Sequence, residues 1–404
     1  MSKVPKPVHD VFEAGGRGLQ HHDLRRANER AIMSVVAFNA GASNAEISRL
    51  SGLAPQTVSA ILVELEKAYL IKRGELLRGR RGQPATPIYI DPDGAFGVGC
   101  EISWRHMQVY VIDLWGRTRG QARKEYAYPD ASTIVEDINT MVEGLLGDLS
   151  LIHQFRVHDL GIAMPTQLWR YIHLVGAPKK QSALWEKKDL AGELAAATSL
   201  EVSVFNDGNA ACWAELIAFS KPRPGDFIYL MVSRYIGAGI VGQGQLWEGP
   251  TGNSANLGSM LVSQKDTAPV AAQYIASISA LEARLVAAGH GPMAGLPDEW
   301  EWGSMEPILS EWLEVVSKAL AEIIFNTTMV LECKLAVVDG FMPPEVVKRL
   351  TQAVTDELAK LPEGPYVTPR VVQGHLGSSA PVLGAAELPL YRRYFSRSLD
   401  DLTG

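Results

Sequence analysis

Ser43-Asn44-Ala45-Glu46-Ile47-Ser48-Arg49-Leu50-Ser51-Gly52-Leu53-Ala54-Pro55-Gln56-Thr57-Val58-Ser59-Ala60-Ile61-Leu62 reads as two short helices joined by a tight turn. Ser43 and Glu46 match a capping box, in which the serine hydroxyl meets the backbone N–H three residues on and the glutamate reaches back. Ile47 and Leu50 form the apolar stripe of the first helix, Gly52 closes it, and Pro55 suits the first position of the next. Val58, Ile61, Leu62 and Leu65 recur at helical spacing and turn inward, which leaves Gln56, Thr57 and Ser59 outside. Upstream, Leu24, Ala31, Ile32, Val35 and Val36 predict a helix over 24–39 that ends at Gly41. Downstream, the strand-like segments Leu70–Arg73 and Pro87–Ile90 flank Arg78-Gly79-Arg80-Arg81-Gly82-Gln83-Pro84, a basic, glycine-rich tip. The pattern is a winged helix-turn-helix, mainly α.

Such a unit places its second helix in the major groove of double-stranded DNA, with the N-terminal side chains at the base edges. The candidate contacts are Ser43, Asn44, Pro55, Gln56, Thr57 and Ser59 on the helices and Arg78, Arg80, Arg81 and Gly82 on the wing. Gln56 is the natural base reader, because its amide can pair bidentately with adenine. Arg81-Gly82-Gln83-Pro84 is similar to the Arg-Gly-Arg-Pro core that lays arginine into a narrow minor groove, with Gln83 in place of the second arginine. The alternative is that these polar residues are only the solvated face of a small helical bundle.

Three arginines within four positions of the wing favour the first reading, and the charge distribution is compatible with it, although chance variation in a small region would give the same count. Residues 1–90 carry 13 Lys and Arg against 8 Asp and Glu, whereas the chain as a whole has a net charge of −7. A basic head on an acidic body suits a protein of which only the head meets a polyanion.

The 404 residues, 47% hydrophobic and 21% charged, exclude disordered, collagen-like and disulfide-scaffold classes. Cys100, Cys212 and Cys333 lie far apart with no CxxC pair, which fits a reducing cytoplasm. The first 20 residues lack the apolar core of a signal peptide, and no apolar run reaches the roughly 18 residues of a membrane span. The expected organisation is a tail over 1–20, the winged head over 21–91 and a second domain over 92–404.

In that second domain short apolar strands alternate with longer amphipathic helices, an α/β pattern. Strands are expected at Phe96–Ile102, Gln108–Leu114, Leu160–Met164, Val202–Phe205, Phe227–Val232, Gly237–Gly242, Leu335–Asp339 and Val371–Gln373. Helices are expected over 131–149, 209–219, 271–288, 306–331, 343–361 and 380–395.

The motifs follow an order that resembles the ROK family of repressors and sugar kinases. Glu101-Ile102-Ser103-Trp104-Arg105-His106 followed by Val109–Gly116 is similar to the family's first strand, phosphate loop and second strand. Gly161-Ile162-Ala163-Met164-Pro165-Thr166 resembles its sugar loop, and Phe205-Asn206-Asp207-Gly208-Asn209-Ala210-Ala211 its Asn-Asp-x-Asn-Ala-Ala motif. Ile236–Ile240, Gly252–Met260 and Leu376–Ala386 match the remaining motifs in order. The resemblance implies a duplicated α/β, actin-like (ribonuclease H-like) domain of two lobes with a sugar cleft between them, and a winged head as in family repressors.

Departures from the family pattern fall on the kinase chemistry. Phosphoryl transfer needs bare backbone that can approach phosphate. Where family kinases have Asp-x-Gly-Gly-Thr, this chain has Glu101, Ser103, Trp104 and Arg105. The usual Gly-Thr-Gly is Ser233-Arg234-Tyr235, and a glycine run near the nucleotide base is reduced to Gly340. The cysteine-rich zinc segment is missing, and Gly-Glu-Ile-Gly-His reads Ala255-Asn256-Leu257-Gly258-Ser259. No cofactor, no metal and no catalytic residue are therefore expected. Asp207 matches the family's catalytic aspartate and can still accept hydrogen bonds from a sugar hydroxyl, although Asn206-Asp207 also suits a helix cap.

The ligand residues that the resemblance implies are Pro165, Thr166, Asn206, Asp207, Asn256 and Ser259. Trp169, Trp185 and Trp247 could stack on a pyranose, while Trp300, Trp302 and Trp312 read as packing. The expected protein is a DNA-binding regulator, a repressor of carbohydrate-related genes. Its partners would be an operator duplex, a sugar-like effector and a second copy in a homodimer or a larger tetramer, with no membrane. The alternative is a sugar kinase with an appended head.

Overall fold

Capping, turn and packing signals act together in the first 90 residues. A computed structural model describes residues 21–75, 86–264, 268–291, 293, 295–362, 364–365 and 367–396. Helix α1 (His21–Phe38) is followed by α2 (Asn44–Ser51), which starts at the Ser43–Glu46 capping box and ends on Gly52 in the left-handed region at φ 70°. Helix α3 (Pro55–Lys67) has its proline in the first turn and buries Val58, Ile61, Leu62 and Leu65. Strands β1 (Ile71–Arg73) and β2 (Ile88–Ile90) pair antiparallel, with Ile71 opposite Ile90, and Ala42 bridges to Ile88. Ile32, Val36, Ile47, Leu62, Ile71 and Ile88 close the core beneath the three helices.

Residues Arg393–Ser396 group with this unit rather than with the second domain, and the division after the head falls between Ile90 and Asp91. Phe395 is buried, and the Ser396 N–H donates to the buried Ser34 Oγ at 2.9 Å.

The second unit holds two sheets with one blueprint. In the first lobe β3 (Phe96–Ile102), β4 (His106–Asp113), β5 (Thr118–Glu125), β6 (Val157–Met164) and β7 (Glu201–Asn206) lie in the order β5-β4-β3-β6-β7. The helices of this lobe are α4 (Ile134–Gly147), α5 (Leu151–Gln154), α6 (Leu168–Tyr171), α7 (Lys179–Glu186) and α8 (Leu190–Thr198). In the second lobe β8 (Phe227–Val232), β9 (Ile236–Gly242), β10 (Gln245–Leu246), β13 (Leu335–Gly340) and β14 (Arg370–Gln373) lie in the order β10-β9-β8-β13-β14. Each sheet has two antiparallel pairings on one side of its first strand and two parallel pairings on the other. The domain is thus a duplication.

Helices α9 (Asp207–Ala218), α10 (Ile278–Ala287), α11 (Ile308–Leu331) and α12 (Pro344–Leu358) belong to the second lobe, where β11 (Leu261–Val262) and β12 (Val270–Ala271) form a small hairpin. Helix α13 (Ala380–Tyr394) touches both lobes. It lies so close that a Cβ on Gly161 of β6 would stand 1.8 Å from the Ala385 carbonyl oxygen, and one on Gly384 would stand 1.8 Å from that of Ala210 in α9. Glycine is required at both positions because no side chain fits between the two backbones.

Several elements differ from the sequence expectation, among them β5, α7, α8 and α10. Strand β5 reads Thr-Arg-Gly-Gln-Ala-Arg-Lys-Glu and carries no apolar alternation, because it is an edge strand with most side chains in water. The helix expected over 271–288 begins only at Ile278, where the Ser277 hydroxyl accepts the Ala280 N–H; β12 and a turn precede it. Helices α7 and α8, over 179–198, fall in a stretch where the sequence pattern predicts no element.

Candidate functional site

The head presents a helix face for DNA. Asn44 Nδ2 donates to Ser59 Oγ at 2.9 Å, and Ser59 Oγ donates to the Pro55 carbonyl at 2.8 Å. Ser43 spends its hydroxyl and its N–H on Glu46, each at 2.8 Å from Oε2. The Asn44–Ser59 bond ties α2 to α3, while the Ser43–Glu46 pair closes the start of α2. Pro55 and Gln56 are exposed at the start of α3, Thr57 is half-buried, and among the described residues no hydrogen bond ties the Gln56 amide. The exposed face runs on through Ala60 to Val63, which is 43% exposed. Neither of these two stands out in the sequence, although 56, 60 and 63 share helical spacing. Arg78, Arg80, Arg81 and Gly82 of the wing lie outside the described residues.

On the second unit, Pro165, Thr166, Asn206, Asp207, Asn256 and Ser259 line one cleft between the lobes. Strand topology explains the convergence: β6 ends at Met164 and delivers Pro165 and Thr166, while its neighbour β7 ends at Asn206 and runs directly into α9. Ligands of such α/β sheets sit beyond the carboxyl ends of the strands. Asn206 caps α9 by accepting the Asn209 N–H at 3.0 Å, and its Nδ2 donates to Thr166 Oγ1 and to Asp207 Oδ1, both at 3.1 Å. The cap and the cleft lining are therefore the same residue. Asp207 Oδ1 also accepts the Gly208 N–H at 2.9 Å. Burial, reinforced by the charge of Glu101 behind it, pushes the Asp207 carboxyl up to about 6. Across the cleft, Ser259 Oγ donates to Asn256 Oδ1 at 3.0 Å.

Further amides, Gln167, Asn253 and Gln273, and the tyrosines Tyr171, Tyr235 and Tyr274 complete the wall. Among the described residues no lysine, arginine or histidine lines it. Gln167 and Ala255, on the two facing loops, hold the left-handed backbone at φ 53° and 58°, a conformation costly for a residue with a Cβ and concentrated at ligand sites. Gln273 carries no sequence signal as a cleft residue, because the spacing over 271–277 reads as helix and the helix starts later.

The tryptophans divide differently from expectation. Trp185 is buried, with Nε1 donating to the Pro129 carbonyl at 2.9 Å; Trp169 lies beside it under the Arg170 guanidinium; Trp247 is exposed. None of the three enters the cleft. Trp104 does, packed edge-on against Tyr235 with ring centroids 5.2 Å apart. Behind it the buried Glu101 accepts from Gln108 Nε2 at 3.1 Å and lies 3.5 Å from His106 Nε2. Trp300, Trp302 and Trp312 are buried. His375 is tied to Glu215 by its backbone N–H and by Nδ1, well outside the cleft lining. His290 is exposed.

The chain belongs to the ROK family, whose pattern it matches over residues 98–391. Residues 25–72 match the winged helix-turn-helix DNA-binding family, so the head is of that class. An uncharacterized Sinorhizobium fredii protein, y4fQ, is 24% identical over 91% of this chain and 92% of its own length. The xylose repressor of Bacillus subtilis is 22% identical over 59% of this chain and 61% of its own. Among solved structures, a ROK family transcriptional regulator described as a homolog of the Escherichia coli Mlc protein superposes over 94% of this chain and 100% of its own, with a TM-score of 0.69 and 18% identity. A ROK family glucokinase from Streptomyces griseus covers 73% of this chain and 99% of its own, with a TM-score of 0.55 and 19% identity. The last two likenesses establish the fold.

Proposed function

We propose that the protein is a cytoplasmic DNA-binding transcriptional regulator, a repressor of carbohydrate-related genes whose kinase-like domain binds a sugar effector and performs no phosphoryl transfer. One observation carries the reading. At the two positions where a ROK kinase needs bare backbone against phosphate, this chain sets the side chains of Trp104 and Tyr235 edge to face. A domain so obstructed, on a chain with an exposed Gln56 at the start of α3, suits a sensor better than an enzyme. On this reading the winged head over 21–91 binds DNA and the second unit, which ends at Arg392 and not at 404, is the effector and dimerisation domain.

The head would insert α3 into the major groove, with Gln56 on adenine and Val63 against a thymine methyl, while Arg78, Arg80 and Arg81 of the wing take the backbone or the minor groove. Two heads on a two-fold axis would read half-sites about 34–36 Å apart or a multiple of it, which calls for a homodimer, alone or paired into a tetramer. The effector would be an uncharged carbohydrate. Amides and hydroxyls both donate to and accept from its hydroxyls, Asp207 accepts two of them, and the cleft offers no cation to compensate a phosphate or carboxylate. Effector binding would bias the lobes and hence the spacing of the heads, a coupling of about 1–3 kcal/mol.

Fluorescence anisotropy against DNA from upstream of its own gene, beside an unrelated duplex at two salt concentrations, tests the reading. Preference for the upstream duplex that changes on adding a neutral sugar is the expected result. Turnover of ATP with Mg²⁺ and a sugar, abolished by Asp207→Asn, would establish the kinase alternative instead.

A further inference from the structure

Beside the effector cleft lies a second depression, bordered by the same chain segments. Pro165, Thr166, Gln167 and Asn206 line both hollows, and the Asn206–Thr166 hydrogen bond belongs to their common edge. The loop after β10 gives Asn253 and Asn256 to the cleft and Thr251 and Gly252 to the depression, so both lobes border each hollow. The lining of the depression is largely apolar and aromatic. Trp169 is half-buried, with the Arg170 guanidinium 4.8 Å from its ring centroid; Trp185 and Phe205 are buried beside it. Val204, on the edge strand β7, is 45% exposed and leaves apolar surface in water. The polar groups are uncommitted. The side chains of Gln167, Glu186 and Thr251 are exposed, and among the described residues no hydrogen bond or ion pair engages any of them. Glu186 is the only ionisable group among the described residues of this wall, so a phosphate or carboxylate would find no cation here.

We infer that the effector is an uncharged disaccharide, one ring held in the cleft by Asn206 and Asp207 and the second lying in this depression against Trp169 and Val204. A pyranose suits that combination, because its C–H face covers an aromatic ring while its hydroxyls bond the amide of Gln167, the hydroxyl of Thr251 and the carboxylate of Glu186. A glycosidic oxygen crossing the Asn206–Thr166 pair joins the two rings. A monosaccharide leaves Trp169 and Val204 in water, whereas a second ring removes that apolar surface and gains from it. The inference rests on the carbohydrate reading of the cleft and adds the size of the ligand to it.

Isothermal titration of the full chain with matched sugars tests it: glucose beside cellobiose and maltose, galactose beside lactose, and xylose beside xylobiose. At least one disaccharide is expected to bind about tenfold more tightly than its own monosaccharide. Trp169→Ala should remove most of that advantage. Because the half-buried indole also packs against its lobe, Val204→Lys supplies a second variant at an exposed position, with circular dichroism to show that it is folded. It should cost the disaccharide about tenfold more affinity than the monosaccharide. Asp207→Asn, by contrast, should weaken both members of a pair. Monosaccharide binding with no gain in any disaccharide, or a gain that survives in Val204→Lys, would overturn the second subsite and leave the carbohydrate reading standing. Absence of binding by every sugar at millimolar concentration would overturn both.

Discussion

Asp207 shows how one residue serves fold and site together. It opens α9, takes the Gly208 N–H and stands in the cleft, where burial raises its carboxyl to about 6. Between about pH 4 and 6 the folded chain keeps a proton there that the unfolded chain has released, so this group makes stability fall as pH rises across that window. For a ligand hydroxyl the ionised form is the acceptor. Effector affinity should therefore weaken as pH drops below about 6, and Asp207→Asn should flatten the dependence; calorimetry at pH 5 and 7.5 gives the comparison. On the head, Gln56→Ala should lower discrimination at a single operator position by about 1–3 kcal/mol and leave non-specific binding in place. Uniform weakening across all sequences would show instead that Gln56 touches only phosphate.

At the scale of elements, α13 depends on two glycines as much as on its apolar face. Gly161→Ala drives a methyl into the Ala385 carbonyl, with no flexible side chain to give way. Overpacking of this kind costs about 1–3 kcal/mol or more, and a thermal melt should show it. Because α13 touches both lobes, the same variant should also weaken effector binding in the cleft. The capping box of α2 has a smaller and more local weight. Ser43→Ala removes the hydroxyl that holds the Glu46 N–H and should cost about 1 kcal/mol in the head.

Over the whole molecule, the head is completed from the far end of the chain. Phe395 packs into it, and the Ser396 N–H bonds Ser34. Phe395→Ala should destabilise the head by about 3 kcal/mol, read by hydrogen exchange of α1, and a fragment that ends after the wing should melt below the intact chain. Replacing Arg80 and Arg81 by alanine should lower DNA affinity and reduce the slope of log affinity against log salt by about 2, one for each arginine withdrawn from a phosphate.

What the amino-acid sequence determined by itself is the local grammar. The Ser43–Glu46 box, Gly52, Pro55 and the stripe Val58–Leu65 specify a helix-turn-helix because caps, turns and 3.6-residue periodicity act between neighbours. The strands that run entirely through the core, Phe96–Ile102 and Phe227–Val232, are legible for the same reason: burial on both faces leaves a continuous apolar run. Strand β5 is not legible, since an edge strand owes its conformation to β4 and not to its own side chains. The cleft shows the same division. Asn206 and Asp207 stand out in the sequence, but Gln167, Gln273 and Tyr274 carry no motif and meet them only when the ends of β6 and β7 face the loops of the other lobe. Tertiary structure alone set Trp104 against Tyr235 and brought Phe395 to a core more than 300 residues away in sequence, because packing between distant segments depends on how whole sheets and helices stack.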